Sequence, residues 1–159
     1  MNQIIKAVNE PIKFYKSGSS ERKSLQAKYD EMAGQTIEIP LIIGGKDITT
    51  GDTDNCVMPH DHGHILATYH KGRENEVKLA VNSAMDRWKS WSRTSLDERT
   101  TIFRKAAELL QGPWRDTINA ATMLNQSKNA FQAEIDSACE LIDFFNFNAQ
   151  YAEEIYANQ

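Results

Sequence analysis

The sequence predicts an α/β chain that is mostly α-helical, with a small β-hairpin and short strands in its first half. Three observations predict it. Apolar residues alternate with a period of two only between Ile37 and His70. From Val77 onward they recur every three or four residues, as on one face of a helix. Gly34, the Ser95 capping signal and the Gly112-Pro113 pair punctuate the helical stretches where starts and stops are needed.

In chain order, residues 1–18 lack periodicity and are interrupted by Pro11 and Ser17-Gly18, which predicts a surface arm. Leu25, Tyr29 and Met32 predict a helix over 20–33, stopped at Gly34. Ile37, Ile39, Leu41 and Ile43 predict one strand, which Pro40 confines to a sheet edge. Gly44-Gly45 is a two-residue hairpin turn returning through Lys46–Thr50. Gly51–Asn55 is expected as a loop, and Ile65–His70 as a further short strand closed by Lys71-Gly72. Val77, Val81, Ala84, Trp88 and Trp91 mark the next helix. Ser95-Leu96-Asp97-Glu98 is a capping box opening a helix with Ile102, Ala106, Leu109 and Leu110 inside. Another helix is expected from Trp114 through Met123, with a break at Asn125–Lys128.

A long final helix is predicted from Asn129 to Tyr156. Phe131, Ile135, Ala138, Leu141, Ile142, Phe145, Ala149 and Ala152 share its core face. The opposite face carries Asp136, Glu140, Asp143, Phe144, Phe147, Tyr151 and Glu154. Three aromatics do not suit a solvated face. The chain is therefore expected to be the leading segment of something larger, with this face turned toward a second surface. Three regions are expected: 1–36, arm and first helix; 37–72, hairpin and short strands; 73–159, helices.

A net charge of −4 and the lack of a basic cluster argue against a nucleic-acid partner. The apolar run at Leu41-Ile42-Ile43 is far too short for a membrane span. Cys56 and Cys139 have no metal or redox spacing and are expected as reduced, buried thiols. His60, His62, His64 and His70 crowd into eleven residues, and three imidazoles could ligate zinc. Pro59 and Gly63, however, predict a turn that scatters the rings. Glu140 and Asp143 form a candidate acid–base pair, with Phe144 one turn on to desolvate it. No glycine-rich phosphate loop is visible.

Several segments carry a resemblance: Ile39-Pro40-Leu41-Ile42-Ile43-Gly44-Gly45-Lys46, Pro59–His64, Ala106–Leu110, Ala120–Leu124, and Gln132–Asp136 running through Glu140–Phe145 to Asn148. With the order of elements, they make the chain resemble the start of the aldehyde dehydrogenase superfamily, in its branch acting on L-glutamate γ-semialdehyde. One departure is Asn125, where the branch usually has glycine before Gln126-Ser127-Lys128. Asparagine is the next most tolerant residue for a left-handed backbone, so the break is expected to survive.

The resemblance implies an α/β aldehyde dehydrogenase-like fold, of which this chain is the N-terminal part. It implies NAD as cofactor, though not held by this segment, a small-molecule aldehyde substrate, and a place in proline catabolism. It also implies a homo-oligomer in the cytoplasm, or in the mitochondrial matrix if eukaryotic. The helices of 73–159 would belong to the cofactor-binding domain. Glu140 would border the substrate tunnel, and Phe144 would help wall it. No catalytic, cofactor-binding or metal-ligating residue is expected here, so the isolated chain is expected to be inactive. Two other readings stand beside this one: a helical interaction module with a groove at Phe144, Phe147 and Tyr151, and a metal-binding protein using the histidines.

Overall fold

A computed structural model of the chain describes residues 4–159. Residues 4–19 form an arm without helix or strand. Helix α1 (Ser20–Ala33) follows, N-capped by Ser19, whose hydroxyl accepts from the Arg22 N–H. Its Leu25 joins Tyr15 and Ala120 in one buried cluster, with Tyr29, Met32 and Met123 packed around it.

The expected strand at Ile37–Ile43 is two strands in two sheets. Pro40 has no N–H to donate and sits between β1 (Ile37–Ile39) and β2 (Leu41–Ile43). β2 pairs antiparallel with β3 (Lys46–Ile48) across Gly44-Gly45, whose φ values of 61° and 77° suit the twisted two-residue turn. The loop expected at Gly51–Asn55 is instead largely strand: β4 (Thr53–Met58) starts there and pairs antiparallel with β5 (Asp61–His70). β5 is the central strand, with β1 parallel on its other side. The turn lies at Pro59-His60, and β5 begins earlier than the expected Ile65. Near Gly63 the register slips, since Val57 faces Ile65 while Met58 faces Asp61. At the other end of the strand, buried His70 ties the elements together. Its Nδ1 accepts from the N–H groups of Thr50 and Gly51 at 3.0 and 3.3 Å, so Nε2 carries the proton and donates to Glu38 at 2.7 Å.

The helices are α2 (Glu74–Trp91), α3 (Leu96–Gln111) and α4 (Arg115–Gln126), then a continuous rod of α5 (Ala130–Ala133), a π-helical turn (Glu134–Cys139) and α6 (Glu140–Ala157). Ser95 and Glu98 close the predicted capping box reciprocally. α3 packs on α6 through Ala107, which is buried with Ala138 and Ile142. The predicted inward residues Ile102 and Leu109 are exposed, because the contact face runs through Thr100, Arg104 and Ala107. The left-handed residue between α4 and α5 is Ser127 (φ 55°), not Asn125, which stays inside α4.

Candidate functional site

The rod from Ala130 to Ala157 is the element on which the candidate residues stand. Asn129 caps it, accepting from the Gln132 N–H at 2.9 Å while Gln132 reaches back to the Asn129 N–H. The π turn then widens one turn of helix, which a strict 3.6-residue period does not anticipate. Glu134, its first residue, is fully buried, while Glu140 and Phe144 stay on the outer face. The predicted core stripe otherwise holds at Ala138, Ile142 and Ala149, with Phe131 as the exception, 48% exposed.

Glu134 is the centre of a buried polar cluster. It accepts from the Lys13 N–H (2.7 Å), Tyr15 Oη (2.7 Å), Asn119 Nδ2 (2.9 Å) and Arg115 Nη2 (2.5 Å). Arg115, itself 2% exposed, also pairs with Glu10 and donates to the Pro11 carbonyl at 2.9 Å. Burial opposes ionisation of Glu134, but the bonds from Arg115, Tyr15 and Lys13 outweigh it and hold the carboxyl below its ordinary value. Burial likewise works against the Arg115 charge, and Glu134 and Glu10 more than restore it. For Tyr15, burial and the neighbouring Glu134 both push the phenol up.

The two cysteines are free, Cys139 buried and Cys56 half-buried. Burial, reinforced by Glu134, pushes the Cys139 thiol up to about 11. That is the reverse of what a nucleophilic cysteine needs. Although Cys139 precedes Glu140 in sequence, it faces the core and Glu140 faces out.

The proposed Glu140–Asp143 pair does not form a site. Asp143 turns toward the arm, accepting from Asn9 Nδ2 and the Glu10 N–H, both at 2.7 Å. Glu140 and Phe144 are exposed on a different stripe. Phe144 edges a cavity of about 460 Å³ between α3 and α6, with Trp91, Arg99, Phe103, Phe145 and Asn148. This volume is in the range of small-molecule sites, about 300–1,000 Å³.

The histidines are dispersed. His60 Nδ1 lies 2.8 Å from Ser127 Oγ, His70 serves the sheet, and His62 and His64 lie on β5. Among the described residues no group of three or more His, Cys, Asp or Glu is placed to hold a metal ion. None of the described helices is long and apolar enough to cross a membrane.

The Glu134 cluster escaped sequence reasoning. The one available signal is Glu134 itself, an acid on the apolar side of a helix that requires a buried cation. Nothing in the sequence says that this cation is Arg115.

The aldehyde dehydrogenase family model matches residues 48–159. The chain is 45% identical over 152 residues to a delta-1-pyrroline-5-carboxylate dehydrogenase of Agaricus bisporus, covering 95% of this chain and 28% of that protein. It is 42% identical over 152 residues to the mitochondrial enzyme of that name from Dictyostelium discoideum, covering 96% of this chain and 27% of the relative. A solved delta-pyrroline-5-carboxylate dehydrogenase from Mycobacterium tuberculosis, bound with NAD, superposes with a TM-score of 0.95 at 40% identity, over 98% of this chain and 29% of that one. The chain thus spans under a third of the length of the relatives it matches.

Proposed function

The chain belongs to the aldehyde dehydrogenase family, and from that membership we propose that its activity is the NAD-dependent oxidation of L-glutamate γ-semialdehyde to L-glutamate in proline catabolism. The observation that carries this reading is the extent of the likeness. Identity of 42–45% to delta-1-pyrroline-5-carboxylate dehydrogenases runs over nearly all of the chain.

In this reading the described residues shape and line the site, and the nucleophile and base come from elsewhere in the enzyme. Cys139 is buried and bonded to the Glu134 cluster, and so unsuited to attack an aldehyde. Glu140 borders the aldehyde channel, where a carboxylate favours the substrate's ammonium group over its uncharged analogues. Phe144 walls the same channel and excludes water from the reacting carbon. The helices of 73–159 support the cofactor-binding domain.

When bound, NAD supplies the hydride acceptor. The described residues do not fit it on their own: Gly44 and Gly45 lie in a hairpin, and the strand-to-helix turn Lys71-Gly72-Arg73 between β5 and α2 holds a single glycine without the GxGxxG spacing that cradles a pyrophosphate. No step through the cofactor is therefore assigned to them. The mitochondrial names of several relatives favour the matrix if the source is eukaryotic; the cytoplasm is the setting otherwise, and a homo-oligomer is the working form that the resemblance implies.

The test is a chimera in which these 159 residues replace the matching segment of the Mycobacterium tuberculosis enzyme. It is expected to oxidise the semialdehyde with NAD at a rate near that of its parent. A folded, NAD-binding chimera that oxidises simple aldehydes but not the semialdehyde would refute the assignment.

A further inference from the structure

The rod changes partner partway along. Up to Cys139 its polar side chains are tied to α4. Glu134 accepts from Arg115 and Asn119, Ser137 Oγ donates to Thr122 Oγ1 at 2.7 Å, and Arg115 Nη2 reaches Cys139 Sγ at 3.5 Å. Arg115, Asn119 and Thr122 share one stripe of α4. From Ile142 onward the ties are to α3. Ile142 is buried with Ala107, the Phe145 and Phe103 rings lie 5.9 Å apart, and Glu153 holds Arg104 through two bonds of 2.6 and 2.9 Å. Glu140 stands between the two sets, exposed.

Glu140 is also the first residue past the π turn. Its N–H donates to the Ile135 carbonyl, five residues back, where an α-helix would use Asp136. Widening the hydrogen-bonded turn by one residue leaves the helix beyond it about 100° behind an α count. In a strict α-helix Glu134 and Cys139 would point about 140° apart. Here both are buried, and both touch the same guanidinium nitrogen of Arg115, at 2.5 and 3.5 Å. The turn thus holds one residue more than an α-helix needs between the two sets of ties. Asp136 is the residue most easily spared, being exposed, with a surface ion pair to Lys128 at 2.6 Å.

Ile142, two residues beyond Glu140, is 0% exposed, and its stiff branched side chain limits how far α6 can roll on α3. A roll of about 20° would carry the end of an outward side chain by about 2 Å, on a helix about 10–12 Å across.

We infer that Ile142 is a positioning residue for Glu140: its seat on Ala107 sets the direction of the carboxylate, and the π turn is a one-residue buffer that frees that direction from the Glu134–Arg115 lock. The device serves catalysis on the reading that Glu140 borders the aldehyde channel.

The chimera tests it, through kcat/KM for L-glutamate γ-semialdehyde over propanal. Deleting Asp136 gives back a strict α-helix without turning Glu140, so the ratio is expected to stay within about threefold of the parent, as it should in Glu134→Gln. Ile142→Ala is expected to lower the ratio at least about fivefold, through a higher KM for the semialdehyde with the kcat for propanal unchanged. Ile142→Leu, equal in volume, should restore it. Ala107→Gly loosens the same seat from α3 with a smaller loss of packing and should act in the same direction. A deletion of Asp136 that lowers the ratio as far as Glu140→Ala would overturn the inference, and so would Ile142→Ala and Ala107→Gly variants with the parent's ratio. If Glu140→Ala itself leaves the ratio unchanged, the channel reading fails, and the buffer is judged on the 159-residue chain. There the deletion is expected to keep the urea midpoint within about 0.5 M of the parent and Cys139 protected from a disulfide reagent. A chain that unfolds or exposes Cys139 refutes the buffer whatever the substrate.

Discussion

Replacing Glu134 by glutamine changes one charge and almost no volume, at the most interconnected point of the molecule. The carboxylate is fully buried and accepts from Lys13, Tyr15, Asn119 and Arg115. A glutamine keeps one accepting oxygen and turns an NH2 group toward donors. Arg115 then retains only the Glu10 pair and the Pro11 and Cys139 contacts. Breaking one partner of a buried ion pair costs about 3–5 kcal/mol. Two charge-assisted bonds at about 1.5–3 kcal/mol each give the same figure independently. Tyr15→Phe is the internal control: it keeps both charges, removes the 2.7 Å bond from the phenol to Glu134 and the 3.0 Å bond the phenol accepts from Asn119, and should cost about 2 kcal/mol. Urea unfolding at pH 7, followed by far-UV circular dichroism, measures both. If Glu134→Gln costs under about 1 kcal/mol, or no more than Tyr15→Phe, the cluster does not hold the arm to the helices as described.

Gly44 has φ 61°, and an added Cβ would lie 2.9 Å from Ser83 Oγ; Gly44→Ala should therefore lower stability by about 1–2 kcal/mol in the same urea assay. The Cys139 thiol, buried and pushed up to about 11, should resist a disulfide reagent at pH 7.4 in the native chain. Half-buried Cys56 should react first, and a Cys139 labelled at the same rate would contradict its placement. The folded chain holds Glu134 and Glu153 below the ordinary carboxylate value, Glu153 through its bond from Arg104. Their contribution is therefore present above about pH 4.3 and is lost as pH falls through the lower folded values. Denaturation midpoints should hold steady from pH 7 to 5 and drop below 4, and Glu134→Gln should flatten that drop.

Elements with local chemistry were legible in the sequence. The Ser95–Glu98 box, the Gly44-Gly45 turn and the Gly112-Pro113 stop each act within a few residues. β4 was not legible because Thr53-Asp54-Asn55 reads as turn chemistry. It is a strand because β5 offers it partners from Thr68 to His70. The exact phase of the final helix was hidden too. An α period places Glu134 on the apolar side and Glu140 and Phe144 outside, but gives no sign of the π turn that starts at Glu134. The pairing of Glu134 with Arg115 and Tyr15 joins positions 19 and 119 residues away, beyond any local pattern. The resemblance named the family correctly, while the Glu140–Asp143 pairing drawn from helical spacing failed because Asp143 is taken by the arm.

The central claim is that the outer stripe of α6 faces an aldehyde channel selective for an amino-acid semialdehyde. The most direct measurement is the specificity of the chimera, as kcat/KM for L-glutamate γ-semialdehyde over propanal, with and without Glu140→Ala. A lost carboxylate–ammonium attraction is expected to cut that ratio about tenfold or more through the semialdehyde, leaving propanal oxidation and NAD affinity in place. An unchanged ratio would contradict the placement of Glu140 at the channel.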